Sequence, residues 1–170
     1  MTSRFAVIDV KMKPQGLVLF LLLYSPETKE KRGLSVKKKI LIIDDNRDLC
    51  RIMADILRCE RFVVSIAHDG KTGLPLLRKR KFDLMIMDYN LPDSKGLKIL
   101  HKARKIRSLV PIIVISASPN EYFIERAFRA GIAAFIPKPF GIMTLTGVVK
   151  EALKTQKNSD SLQRRRGHRV

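Results

Sequence analysis

Tryptophan is absent from this 170-residue chain, and tyrosine occurs only three times. Nor do aromatics interleave with Arg164–Arg166 and Arg169, so no base-stacking surface is indicated there. Cysteine is nearly absent too, with Cys50 and Cys59 the only two. Both fall in one helical pattern, nine positions apart, which puts them on opposite faces about 13 Å from each other. They cannot bridge, so there is no disulfide framework, and free thiols suit a reducing compartment. The three histidines, His68, His101 and His168, are scattered, and no His/Cys spacing matches a zinc site. Long apolar runs are also missing. "LVLFLLLY" (Leu17–Tyr24) has eight residues, far short of the ~20 that span a bilayer.

Acidic residues are the last shortage: 16 against 34 basic ones, for a net charge of +18. Residues 1–39 carry +6, residues 40–154 carry +8 and residues 155–170 carry +4. More than half of the excess thus lies at the two ends. Such a field attracts acidic or phosphate-rich partners without saying anything about fold. Residues 1–36 resemble a weak signal peptide, but no small-x-small cleavage site follows the apolar run. They read as a leader from a start codon placed too far upstream, with an extra packed segment, or export or anchoring, as the alternatives. "ETKEKRGLSVKKK" (27–39) reads as a linker.

From Lys39 onward two patterns alternate. Short β-rich apolar runs occupy 40–44, 62–67, 82–88, 111–116 and 133–137. Amphipathic helical periods fill about 47–59, 71–80, 96–106, 119–130 and 141–154. In the first of these, Leu49, Ile52, Met53, Ile56 and Leu57 form the apolar stripe. Five strands alternating with five helices predict an α/β domain, a parallel sheet covered on both faces. Ser118-Pro119 or Asn120 is a start signal for the fourth helix, and Gly131 stands at its expected C-terminal cap. Pro75 lies inside the second helical pattern. A mid-helix proline costs about 3 kcal/mol, so that helix is expected to start late, near Gly73, or to kink.

In an open parallel sheet, ligands bind beyond the carboxyl ends of the strands. Asp44 and Asp45 follow strand one, Asp88 follows strand three, Ser116 strand four and Lys138 strand five. Each has a plain structural reading. Asp44-Asp45-Asn46 suits a helix cap, Ser116 a turn hydroxyl, and Lys138 a solvated lysine. All five at corresponding strand ends argue for one pocket. Three carboxylates together repel, and a hard divalent cation with oxygen ligands, Mg²⁺ rather than zinc, is the natural neutraliser. A carboxylate so placed can attack phosphorus and form an acyl phosphate, while lysine offsets charge on the phosphoryl oxygens.

The motifs "LIIDDN", "LMIMDYNLPDSKG", "VISAS" and "FIPKPF" together are similar to the receiver domain of two-component response regulators, over residues 39–154. The resemblance implies a flavodoxin-like, doubly wound (βα)5 fold with strand order 2-1-3-4-5. It implies Asp88 as acceptor of a phosphoryl group from a histidine kinase or phosphotransfer protein. It further implies Mg²⁺ held by Asp45, Asp88 and the backbone carbonyl of Asn90, with Asp44 assisting through a water. Ser116, the backbone of Ala117 and Lys138 would then bind the phosphoryl group, with the Lys138-Pro139 peptide cis. Phe135 takes the place of the family's aromatic switch, although a plain core phenylalanine is the alternative. Tyr89 and Ser118 flank the acceptor and would tune water access. Downstream output would pass through helix four, strand five and helix five.

On this reading residues 1–38 are an extension and linker, and 155–170 a basic, disordered tail ending "RRRGHRV". No helix-turn-helix fits after the fifth helix, so a stand-alone receiver is expected. It would act in the cytoplasm as a phosphoacceptor that hydrolyses its own acyl phosphate, not as a turnover enzyme. Nucleic acid and membrane are not expected partners; the basic runs at 78–81 and 101–107 suit an acidic protein. Three other readings stand beside this one, the first a basic nucleic-acid-binding protein, suggested by Arg164–Arg166 and Arg169. A receiver-shaped module that is never phosphorylated keeps the fold without the chemistry. A haloacid-dehalogenase-type phosphatase would place an aspartate where Asn90 stands and carry a cap insertion.

Overall fold

β-branched and long apolar residues alternate sides along each strand, and that alternation sets the layers. In β1 (Lys39–Ile43), Ile40 and Ile42 face one helical layer while Leu41 and Ile43 face the other. β3 (Leu84–Asp88) and β4 (Ile112–Ser116) repeat the scheme, Ile86 and Ile113 on the first side, Met87 and Val114 on the second. β2 (Val63–Ala67) and β5 (Ala134–Pro137) close the edges. The computed structural model describes residues 37–92, 94–117 and 121–166, with backbone alone for 94–95 and 156–166.

The five strands form one parallel sheet. Numbered along the chain, their order is β2-β1-β3-β4-β5, the doubly wound 2-1-3-4-5 arrangement. A two-stranded antiparallel ladder pairs Asn90–Leu91 with Ser94–Lys95 in the loop after β3. Helices α1 (Arg47–Cys59) and α5 (Ile142–Arg166) cover one face. Helices α2 (Gly70–Lys79), α3 (Gly96–Ile106) and α4 (Glu121–Arg129) cover the other.

Three local features depart from the sequence reading. The buried stripe of α1 is Cys50, Met53, Ala54 and Leu57, while Ile52 is 52% exposed. The stripe is rotated because the small residues Cys50 and Ala54 let the helix lie close to the sheet.

α2 starts at Gly70, before Gly73, despite Pro75 in its interior. Asp69 fixes the first turn by accepting from Thr72 N and from Thr72 Oγ1, both at 2.7 Å. Buried Gly73 and Leu77 seat the helix on the sheet, and these contacts offset a proline cost of about 3 kcal/mol.

α5 continues to Arg166, past residue 154. Nothing between 155 and 166 stops it, since the first helix-breaking residue is Gly167. The basic tail expected to be disordered from 155 is therefore helical as far as 166.

Gly131 caps α4 as anticipated, with φ +83°. Its N–H donates to Phe128 O and that of Ile132 to Ala127 O, the paired bonds of a Schellman motif. The expected start signal at 118–120 and the leader at 1–36 lie outside the described residues.

Candidate functional site

The parallel register delivers the polar residues to one edge. Asp88 pairs with Ile115 and Ser116 with Pro137, so Ser116 and Lys138 come just beyond the acid on neighbouring strands. Lys138 N donates to Ser116 O at 2.8 Å, which ties the two strand ends together. The Lys138-Pro139 peptide is cis.

Within this edge Lys138 Nζ lies 2.9 Å from Asp44 Oδ2 and 3.4 Å from Asp88 Oδ2. Asp44 is 1% exposed and Asp88 6%. Such buried carboxylates are tolerated only with partners. Asp44 has them: Oδ2 takes the lysine and Oδ1 accepts from Asn46 N at 2.9 Å. Asp88 is less well served: Lys138 and the Asn90 backbone N–H steady its charge, yet its Oδ1 is buried without a hydrogen bond of ordinary geometry.

Burial pushes the Asp88 carboxyl above its ordinary pKa, against the pull of Lys138 and with help from Asp44. Burial works against a charged Lys138, yet its bond to Asp44 and the attraction of both acids hold its pKa above the ordinary lysine value.

The helix-cap reading of 44–46 now divides cleanly. Asn46 is the cap, its side chain accepting from Leu49 N at 3.0 Å. Asp44 turns inward and Asp45 stays exposed. Carboxylate oxygens of Asp44, Asp45 and Asp88 all lie within 4.8 Å of one another. Three carboxylate donors fit a hard divalent cation such as Mg²⁺ and do not fit a thiolate- or imidazole-seeking metal.

Ser116 is completely buried, Ala117 and Asn90 are exposed, and Phe135 is half-buried. Phe135 meets Phe123 edge-on at 6.2 Å, and Phe123 stacks on Tyr89 at 3.7 Å. An aromatic row thus runs from the residue after Asp88 to β5. The Asp88 loop is pinned from below as well. Gly96 N donates to Tyr89 O at 3.0 Å, and a Cβ on Gly96 would sit 2.7 Å from that same oxygen.

Two neighbours of the pocket escaped the sequence reading. His68 Nδ1 and Cys50 Sγ each lie 3.2 Å from the Asp44 carbonyl oxygen. The nine-residue cysteine spacing placed Cys50 on a helix face but gave no hint that this face meets β1. His68 follows β2 directly, and only the strand pairing brings it over Asp44.

Fold and edge together define a class: a doubly wound α/β domain with an acid-and-lysine pocket at the carboxyl ends of its strands. The family model of the response regulator receiver domain matches residues 40–150, and the chain belongs to that family. Its members are signalling phosphoacceptors, not classical enzymes.

Chemotaxis protein CheY-3 of Vibrio cholerae is 36% identical over 115 residues, 66% of this chain and 88% of that protein. Response regulator ArlR of Staphylococcus epidermidis is 34% identical over 123 residues, 72% of this chain. A response regulator receiver protein of Anaeromyxobacter is 36% identical over 105 residues, 62% of this chain. The match spans 56% and 44% of the lengths of these last two. Among solved structures, a CheY-like receiver domain from Methanospirillum hungatei superposes with a TM-score of 0.71 at 31% identity. It covers 73% of this chain and 99% of that one. Among the described residues no helix is long and apolar enough to cross a membrane.

Proposed function

We propose that Asp88 accepts a phosphoryl group from the phosphohistidine of a histidine kinase or phosphotransfer protein, and that the modified domain signals to a downstream protein. The observation that carries this reading is the buried Oδ1 of Asp88, without a hydrogen bond of ordinary geometry, beside Asp44, Asp45 and Lys138. In the transfer, a carboxylate oxygen of Asp88 bonds to phosphorus while the phosphorus–nitrogen bond breaks, and the departing imidazole keeps the electron pair.

Asp45, Asp88 and the backbone carbonyl of Asn90 would hold Mg²⁺, with Asp44 beside them. When bound, the ion neutralises the crowded carboxylates and the incoming phosphoryl oxygens. Lys138 orients Asp88 and then binds the new anion, and Ser116 with the backbone of Ala117 completes the cradle. Water later cleaves the acyl phosphate and resets the site.

Two added negative charges at this edge bias the adjacent α4–β5–α5 surface. Phe135, half-buried and lacking a hydroxyl, reports that change by packing alone. We assign residues 39–154 to the receiver unit and place the preceding residues 1–38 outside it. Its two free thiols suit the cytoplasm.

Incubation with acetyl phosphate and Mg²⁺ tests the acceptor. One phosphoryl mass should add to the intact protein, and Asp88→Asn should abolish the addition. Equal labelling of both proteins, or of neither, rejects Asp88.

A further inference from the structure

Basic residues on most of this surface have acidic neighbours. On α1, Arg58 pairs with Asp55 at 3.0 Å and Arg51 with Asp48 at 3.6 Å. On α4, Arg129 meets Glu125 at 2.6 Å, and on α5 Lys150 reaches Glu60 at 2.7 Å. Helices α2 and α3 differ. Their sequences, GKTGLPLLRK and GLKILHKARKI, contain no acidic residue at all.

These two helices pack side by side on the same face of the sheet. Arg78, Lys79, Arg80 and Lys81 are exposed where α2 ends. Lys98, Lys102 and Lys105, also exposed, lie at i, i+4 and i+7 along α3, one stripe of that helix. The acids flanking α2 are engaged elsewhere: Asp69 caps the helix through Thr72, and Asp83 accepts from Lys38 Nζ at 2.6 Å and from Lys39 N at 2.7 Å. Cations in a last helical turn complement the macrodipole, but that effect ends within a turn. It explains neither Lys98 and Lys102 nor Arg80 and Lys81.

Chain direction runs this field from Lys98, in the first turn of α3 beside the Asp88 loop, to the edge opposite the acid pocket. Lys81 comes just before β3 begins and Lys105 shortly before β4, whereas Asp44, Asp88 and Lys138 follow strand ends. A five-residue strand, about 16 Å long, separates the two edges.

We infer that the α2–α3 face is a docking surface for the phosphodiester backbone of a nucleic-acid duplex, read without regard to sequence. Lysines supply five of the seven cations, and no large apolar side chain is exposed within the two helices. Protein interfaces are built on buried apolar anchors and are depleted in lysine, while backbone phosphates need only point charges. The two helices carry no Phe, Tyr, Trp, Asn or Gln side chain, and His101 is their one aromatic ring. Along helices of ~15 Å a duplex presents about nine phosphates, enough to engage these rows. The acceptor chemistry at the other edge plays no part in this inference.

The test is fluorescence anisotropy of the full chain with a labelled 20-base-pair DNA duplex. With about five phosphates neutralised, affinity should fall about 500-fold between 50 and 200 mM salt and be the same for a scrambled duplex. The variant Arg78→Glu/Lys79→Glu/Lys102→Glu/Lys105→Glu should bind about 100-fold more weakly at 50 mM salt and flatten the salt slope by about four. Equal reversal on the other face, Arg47→Glu/Arg51→Glu/Arg58→Glu/Lys154→Glu, should cost less than about tenfold, because it lies beyond the screening length. Circular dichroism checks folding. Should the quadruple variant not fold, Lys102→Gln/Lys105→Gln must still flatten the slope by about two. Absence of wild-type binding at 50 mM salt overturns the inference, as does equal loss from both faces. Displacement of the duplex by poly-L-glutamate at equal charge also overturns it and makes the face one for acidic polypeptides.

Discussion

Lys138 Nζ bonds Asp44 Oδ2 at 2.9 Å across 94 positions of sequence, and the same ammonium stands 3.4 Å from Asp88 Oδ2. One cation therefore serves two buried acids on two different strands. Removing it leaves both without a counter-charge, a loss that costs about 3 kcal/mol where one partner of a buried pair is deleted. Lys138→Ala should lower stability by about that amount in urea unfolding. Adding Asp44→Asn should recover part of the loss, since the more deeply buried of the two stranded charges is gone. A wild-type unfolding midpoint for Lys138→Ala would mean that the triad does not hold this edge together.

The Asp88 carboxyl has its pKa raised, by burial first. A group that binds its proton more tightly when folded favours the folded state at pH below its unfolded pKa. That contribution is lost as pH rises through the folded value. Ionised Asp88 therefore opposes folding at neutral pH. Asp88→Asn should raise Tm at pH 7, and the gain should shrink as pH falls toward the ordinary aspartate range. A lower Tm for the variant at pH 7 would contradict the sign.

Arg61 and Gly131 occupy the same position in two copies of one helix ending. Arg61, with φ 65°, follows α1, its N–H donating to Arg58 O and that of Phe62 to Leu57 O. Glycine takes this left-handed conformation freely, and other residues lose about 1 kcal/mol there. Arg61→Gly should stabilise the domain and Gly131→Ala should destabilise it, each by roughly 1 kcal/mol in chemical unfolding. Effects of the same sign at both sites would contradict the shared motif.

The two thiols should differ sharply in reactivity. Cys50 is fully buried and its pKa is pushed up to about 11, by burial first and then by Asp44, whereas Cys59 is exposed. Native protein should take up one N-ethylmaleimide at neutral pH and two in urea. Rapid native labelling of Cys50 would mean that α1 opens away from the pocket.

The apolar alternation of β1, β3 and β4 was readable because burial on two faces demands a local, period-two pattern, and helices α1 and α3 carried their own period. The five polar residues at strand ends were readable for the same reason, since a strand's end fixes the edge where its next residue stands. Less was readable where packing overrides propensity. Pro75 sits inside a helix that Asp69 caps and Gly73 seats against the sheet. The stripe of α1 turned toward Cys50 and Ala54 and left Ile52 in water.

Layers, strand ends and the residue types at the acid edge follow from the order of amino acids, because hydrophobic periodicity acts between neighbours in the chain. Packing in three dimensions was needed to select Asn46 over Asp44 as the cap of α1, to leave Asp88 Oδ1 without a hydrogen bond of ordinary geometry, and to set two separate basic runs on one face. Charge and hydrogen-bond partners are set by distance in space, and for these residues that distance depends on how the strands pair and the helices pack.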